Sequence, residues 1–397
     1  MNPRIIFFLI LGIDVLILLF QTQQLSISVN EAQILYGDWS VLQFLVKVSL
    51  SIFGTNDFGL RFVMILFHIL SVILMFELSK EYIKSERNRL WFILIFTLLP
   101  GVVSSAIIVN SAGMVIFGLL LYLYLQKRVS QYSMDIILLG YACIDIGFAY
   151  LFLGLSVYRI STREYGHFVY MLLLYMITSF LYGVDAGGYP TGHFLDTIGV
   201  YSAIFSPIIF IYLVYALYRV YLVKNVNLLW YVAVTSLLLS LALSLRQRIP
   251  VAHFAPYLII AMPIAAKLFI HSYRVRLKRY RTGYRLIFIS SLFLLMVNTL
   301  AVLFNKTLYH YIDNPHKHFA YKMDIAKSLS LKLKKMGIKC VATDNDMQLR
   351  LRFYEIDRCE QNILQEKSNK AKDKANVTVR YNNKTIYEAT VTNINNI

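Results

Sequence analysis

Two carboxylates open the chemical inventory of this chain. Glu31 and Asp38 lie in SISVNEAQILYGDWSVLQFL (residues 26–45), between the first and second long apolar runs. The segment is too polar to cross a bilayer. Its apolar positions nevertheless recur at roughly helical spacing, with Trp39 beside the acids, so it reads as a helix lying in the membrane interface or packed on spanning helices. A carboxylate held at a water–lipid boundary is partly buried, which raises its pKa and suits it to take a proton from a nucleophile. Spacing alone also allows an ordinary solvated loop acid. A second group, Arg246, Arg248 and His253, falls in SLRQRIPVAHFAPY (244–257). Guanidinium groups suit a phosphate because their planar fork donates two parallel hydrogen bonds; the alternative is a snorkelling pair that touches headgroups nonspecifically. A third, VDAGGYPTGHFLD (184–196), carries Asp185, His193 and Asp196. Asp and His are metal-ligand types, but this spacing matches no ligand motif, so the segment reads as a flexible loop and no metal site is assigned. The chain has no phosphate loop, no HExxH and no nucleophile elbow, which argues against a nucleotide-driven enzyme.

The elements that must position these groups are membrane helices. The chain has 397 residues, 58% hydrophobic and 15% charged, with a mean hydropathy of +0.58, whereas soluble domains carry about 25% charged residues. Apolar runs near the roughly 20-residue crossing length recur from residue 5 to residue 304. The first, which begins MNPRIIFF, lacks a small-residue cleavage site and reads as a retained anchor. The net charge of +17 is concentrated in short loops: Lys80 to Arg89, Lys127 and Arg128, Arg159 and Arg163, and above all RVRLKRYRTGYR (274–285). That is the positive-inside pattern, with anionic membrane lipids as partners; no nucleic-acid partner is expected.

Counting crossings from a cytoplasmic N-terminus gives an all-α polytopic protein of about eleven membrane segments, with runs at 5–20, 59–78, 90–108, 112–125, 134–158, 168–183, 198–218, 228–245, 254–270 and 286–304. The 134–158 run is flanked by basic residues on both sides and contains Asp145, so it is divided into two short helices, out and back, near Gly140 and Gly147. Residues 1–304 thus form a membrane domain, and 305–397 a small α/β domain on the outer side. In the latter, MDIAKSLSLKLKKMG predicts a helix capped by Gly337, IKCVAT a short strand, QEKSNKAKDK a solvated linker, and ANVTVRYNNKTIYEATV a hairpin around Asn382-Asn383. Cys143 is expected in the core. Cys340 and Cys359 fall on the outer side, where an oxidising compartment permits a disulfide.

In this order the pieces resemble the GT-C glycosyltransferases, specifically the family 39 group that includes protein O-mannosyltransferases and the aminoarabinose transferase of lipid A. The resemblance covers about residues 1–305. That group has an acidic DEA-like motif in its first outer loop; here it reads NEA, Asn30-Glu31-Ala32. LQFLVKVSLSIFGTNDFGLRF (42–62) looks like the family's stretch ending in Phe-Gly and then Leu-Arg, which places Arg61 at the matching position. LLPGVVSSAIIVNSAGMVIFGLLLYLYL (98–125) is similar to the third and fourth helices, where relatives often have aspartate at the place of Asn110. SLRQRIPVAHFAPYLIIAMP (244–263) is similar to the late loop associated with the lipid phosphate.

The resemblance implies transfer of a sugar from a polyprenyl-phosphate-linked donor to a lipid, glycan or protein acceptor, on the periplasmic face of an inner membrane, without a cofactor. Glu31 is then the best matching carboxylate for the proton acceptor, and Asp38 is a candidate that the family pattern does not supply. Asn30, Arg61, Asn110, Arg246, Arg248, His253 and Tyr257 are the implied substrate-binding set. Asparagine at 30 and 110 departs from the pattern and leaves a catalytically silent protein as an alternative. Transport is another, since Asp145 lies within an apolar run.

Overall fold

The computed structural model describes residues 2–183, 192–312, 314–366, 377–381 and 384–393. The chain divides into two compact units. The first comprises Met1–Leu16, Met64–Ala106 and Asn110–Thr299, and is wholly helical. In lipid the backbone must satisfy its own hydrogen bonds, and these long apolar runs do so as helices. Among the described residues, four helices are long and apolar enough to span a bilayer: Pro3–Gln24, Asp57–Tyr82, Tyr165–Tyr182 and Lys278–Leu303. Three bent pairs bring the number to seven if each is one span. The chain is a multi-pass membrane protein.

The bends correct the simple crossings expected from hydropathy. The 90–108 run is two helices, Glu86–Thr97 and Pro100–Ile107, meeting at 58°. Proline tolerates a helix start and disfavours helical geometry in the residue before it, so the break falls just ahead of Pro100. The 198–218 run is Phe194–Phe205 and Pro207–Leu222, turned by 104° about Ser206, whose φ is +67. Val251–Ile259 and Met262–Val275 meet at 40°. The 134–158 run is divided as expected: Gln131–Ala142 and Ala149–Ser161 flank a turn in which Asp145 accepts a hydrogen bond from the Gly147 amide at 2.7 Å. Gly154 has a packing reason. A Cβ there would lie 2.8 Å from the Val232 Cα, so only glycine lets its helix press against Leu228–Ser244. Cys143 is exposed at the end of its short helix, because the chain turns away from the core there.

The second unit comprises Ile17–Val63, Ile107–Val109 and Leu300–Ile397. Its first part carries two short helices, Val29–Tyr36 and Val41–Phe53, capped by the Ser28 and Ser40 hydroxyls. Its C-terminal part is a small α/β fold around Ile325, Leu329, Leu333, Val341, Leu351 and Leu364. Strands β1 (Asn362–Glu366), β2 (Val377–Tyr381) and β3 (Lys384–Asn393) form an antiparallel sheet in the order β1-β3-β2. The expected hairpin is β2–β3, with Tyr381 opposite Lys384; Asn382 and Asn383 lie outside the described residues, as does most of the linker. The helix Ala326–Lys335 stops before Gly337, whose φ of +76 continues no helix.

Two elements differ from expectation. Among the described residues IKCVAT makes only isolated parallel bridges, Cys340 with Asp357 and Ala342 with Ile363 of β1, so it is shared between two neighbours and forms no strand of its own. Asn345–Phe353 is a helix, started by the Asp344 carboxylate, which accepts from the Met347 amide at 3.0 Å. Cys340 and Cys359 form a disulfide that closes this part of the fold.

Candidate functional site

The sequence NEA starts a helix, and that placement determines what Glu31 can do. Ser28 and Glu31 form a reciprocal capping box: the Ser28 hydroxyl accepts from the Glu31 amide at 3.2 Å, and Glu31 Oε2 accepts from the Ser28 amide at 2.8 Å. Arg61 then donates from Nε to Oε1 and from Nη2 to Oε2, both at 3.0 Å, and the Val109 amide donates to Oε1 at 2.9 Å. The remaining guanidinium hydrogens go to the carbonyls of Thr22, Leu25 and Ser26 at 2.9–3.1 Å. A carboxylate offers about four lone-pair sites and a guanidinium five donors. Glu31 receives four hydrogen bonds and Arg61 gives five, so both are saturated, and their side chains are 0% and 1% exposed. In this arrangement Glu31 has no lone pair open to a substrate hydroxyl. It holds the entry of the first loop in place, which is not the role its match to the family motif implied. Asn30 and Asp38, by contrast, are exposed, as is Trp39.

A buried acid that sequence reasoning passed over lies close by in the same unit. Asp57, at the start of the helix that carries Arg61, accepts from the Tyr354 hydroxyl at 2.7 Å and pairs with Lys327 Nζ at 2.6 Å. Tyr354 in turn accepts from the Ile27 amide at 3.0 Å, and Arg350 Nε donates to the Ile27 carbonyl at 3.1 Å. The first loop is therefore clasped by the C-terminal fold. The only sequence clue was an acid at a helix start, which is common to many helices. In the C-terminal fold itself, burial pushes the Asp324 carboxyl up to about 6, while nearby Lys306 and Tyr309 restrain the rise.

The membrane unit holds a cavity of about 400 Å³ with a mostly apolar wall. Its polar lining includes Ser104, Ser105, Asn110, His193, Asp196 and Arg248. Asn110 caps Ser111–Leu125 by accepting from the Gly113 amide at 3.3 Å. His193 Nδ1 is 3.6 Å from Asp196 Oδ2, at the start of Phe194–Phe205. Two residues read as belonging to an idle loop thus line the cavity; Asp185 lies outside the described residues. Among the described residues no third His, Cys, Asp or Glu joins this pair in a cluster able to hold a metal.

The basic loop is divided by the structure. Arg248 lines the cavity, whereas Arg246, though exposed, is not among the lining residues. His253 faces elsewhere, with Nδ1 at 3.3 Å from the Ser111 hydroxyl and 3.8 Å from Asp145 Oδ1. Tyr257 is fully buried and donates to the Gly147 carbonyl at 2.5 Å. It braces the turn that presents Asp145. The cavity can therefore offer one guanidinium, one His–Asp pair and amide and hydroxyl groups to a ligand with an apolar body and an anionic head.

No family model matches the sequence, and no curated protein matches it. Among solved structures, ArnT from Cupriavidus metallidurans in the apo state is similar over 88% of this chain and 84% of its own, with a TM-score of 0.55 and 14% identity. The same protein bound to undecaprenyl phosphate gives a TM-score of 0.54 and 13% identity over the same shares. At this identity the likeness is one of fold, and the chain has the fold seen in ArnT.

Proposed function

We propose that this chain is a glycosyltransferase of the family 39 type, which moves a sugar from a polyprenyl-phosphate donor to a hydroxyl acceptor on the periplasmic face of an inner membrane. The observation that carries the reading is the cavity beside Arg248, set in a fold shared with a protein that binds undecaprenyl phosphate. The apolar wall accommodates the first part of the prenyl chain. Arg248 faces the phosphate, whose negative charge grows as the glycosidic bond breaks, so the cation is worth most in the transition state. Asp196, oriented by His193, takes the proton of the acceptor hydroxyl as it attacks the anomeric carbon. Asn110 and the serines bind the sugar hydroxyls. The departing lipid phosphate needs no nucleotide or organic cofactor.

Glu31 and Arg61 serve this reading as positioning residues, and Asp38 is the exposed acid of the first loop to be tested beside Asp196. A second reading has one specific observation in its favour. The one carboxylate that matches the family's acidic motif is saturated, and Asn30 beside it is no acid, which suits a protein that binds lipid phosphate without turnover. Binding of undecaprenyl phosphate to the purified protein in nanodiscs tests what both readings share. Arg248→Ala should weaken binding by about tenfold, the loss expected for a hydrogen bond to a charged partner. Unchanged affinity would remove the cavity from the account.

A further inference from the structure

The membrane unit has a second cavity, of about 420 Å³, at the end that bears the 274–285 cluster. It is a groove between Glu86–Thr97, Pro207–Leu222, Met262–Val275 and Lys278–Leu303. Trp91, Phe92, Ile209, Phe269, Phe288 and Leu295 make its wall apolar. From Arg285 to Leu295 the last of these helices rises about 15 Å, long enough to lie along much of an acyl chain. At the mouth the lining becomes cationic and aromatic, with Arg274, Arg285 and Tyr273.

These cations are not spoken for by acids. The cluster contains six Lys and Arg residues, and among the described residues the ion pairs of Lys and Arg all lie elsewhere. Internal hydrogen bonds instead shape the mouth. Arg281 donates to the carbonyls of Arg276 and Arg274 at 2.9 and 3.0 Å, which fixes the turn between the two helices. Arg276 stacks over the Tyr284 ring at 4.2 Å. Arg285 donates its Nε to the Tyr273 hydroxyl at 2.7 Å, and among the described residues its two terminal nitrogens make no hydrogen bond, so the exposed guanidinium keeps a two-nitrogen edge for a ligand. The Tyr212 hydroxyl, also in the lining, is buried beside Tyr284 and makes no hydrogen bond of good geometry among the described residues. Such a group in an apolar wall calls for a partner.

We propose that this groove is a specific site for an anionic glycerophospholipid, with one acyl chain between Trp91 and Phe288 and the phosphate held by Arg274 and Arg285. The charge of the mouth selects the occupant. A zwitterionic lipid offers the same chains but adds a cation next to this cluster, and a helix of another protein supplies no phosphate. The site is separate from the cavity of Arg248 and its assignment does not rest on the catalytic reading.

Native mass spectrometry of the full chain, purified with an equimolar mixture of phosphatidylglycerol and phosphatidylcholine of identical chains, tests the site. One phosphatidylglycerol per protein should be retained in preference, and each of Arg274→Ala and Arg285→Ala should lower that retention about fivefold, as for one cation beside an anionic headgroup. Ala266→Phe and Ser291→Phe fill the groove from two walls without touching the cations, and the folded variant of the two should also lose the lipid. Equal retention of both lipids would overturn the proposal. So would full retention in a filled groove, which would put the lipid on the open basic surface, or displacement by inorganic phosphate, which would make it a free-anion site. A lipid-free protein that is dimeric, and monomeric once the groove is filled, would replace lipid by helix docking.

Discussion

Glu31 has the residue type for a base and the surroundings of a strut. Replacing it with glutamine keeps the shape but points an amide group at the Arg61 donors and leaves that guanidinium buried without its counter-charge. Glu31→Gln should therefore cost roughly 3 kcal/mol of stability, with any lost activity following the loss of folded protein. Adding Arg61→Met removes the orphaned charge and should recover a good part of the thermal midpoint. A Glu31→Gln protein that melts like the parent but does not turn over would return Glu31 to the role of base. Asp324 gives a pH test. Its carboxyl titrates at about 6 in the folded state, above its ordinary value of 3.8. The folded state thus binds more protons than the unfolded one between those values, so stability is greatest below about 4 for this group and is lost as pH rises through 6. The loss is roughly 2–3 kcal/mol by pH 8. Asp324→Asn should flatten that slope and raise the melting temperature at pH 8; a parallel slope in both proteins would place the titration elsewhere. At this scale the sequence was least legible. It named Glu31, Arg61, Asn110 and Arg248 as residues of interest, but the hydrogen bonds that saturate one carboxylate come from residues as far along the chain as Val109.

Elements were read more readily, because hydrophobic length and periodicity are local. The two short helices around Asp145, the Gly337 cap and the terminal hairpin are present where the pattern placed them. The bends at Ser206 and before Pro100 were missed, since a hydropathy window averages across a proline instead of stopping at it. The Asn345–Phe353 helix was missed for another reason. It is polar along most of its length and is held by Met347, Leu351 and Phe353 together with the Cys340–Cys359 bond at its flanks. Removing that bond with Cys340→Ser and Cys359→Ser opens a loop spanning 19 residues, for a loss of about 3 kcal/mol by loop-closure entropy. Hydrogen exchange should speed up across 340–359 first. Unaltered protection there would show that the core alone fixes the helix. In the membrane unit, Gly154→Leu should separate its helix from Leu228–Ser244 and lower the melting temperature by several degrees, whereas Gly140→Ala, with open space at its Cβ position, should not.

For the whole molecule, composition already pointed to a membrane protein and away from a soluble core, and the order of loose motifs resembled the family that includes the aminoarabinose transferase of lipid A; the chain shares its fold with ArnT. The cavity was only half legible. Arg248 was singled out because a guanidinium suits a phosphate, while His193 and Asp196 have no sequence spacing that distinguishes them from loop residues. The topology underlying the reading predicts that a reporter fused after Asn305 is periplasmic and one in the 274–285 cluster cytoplasmic. The most direct measurement is release of polyprenyl phosphate from a polyprenyl-phosphate sugar by the purified protein, followed by mass spectrometry in the presence of an acceptor extract. The account predicts release and a glycosylated product with the parent, and a loss of at least about tenfold with Arg248→Ala or Asp196→Asn. Tight binding of the donor with no release in any condition would contradict it, and would leave a lipid-phosphate-binding protein that has kept the fold without the reaction.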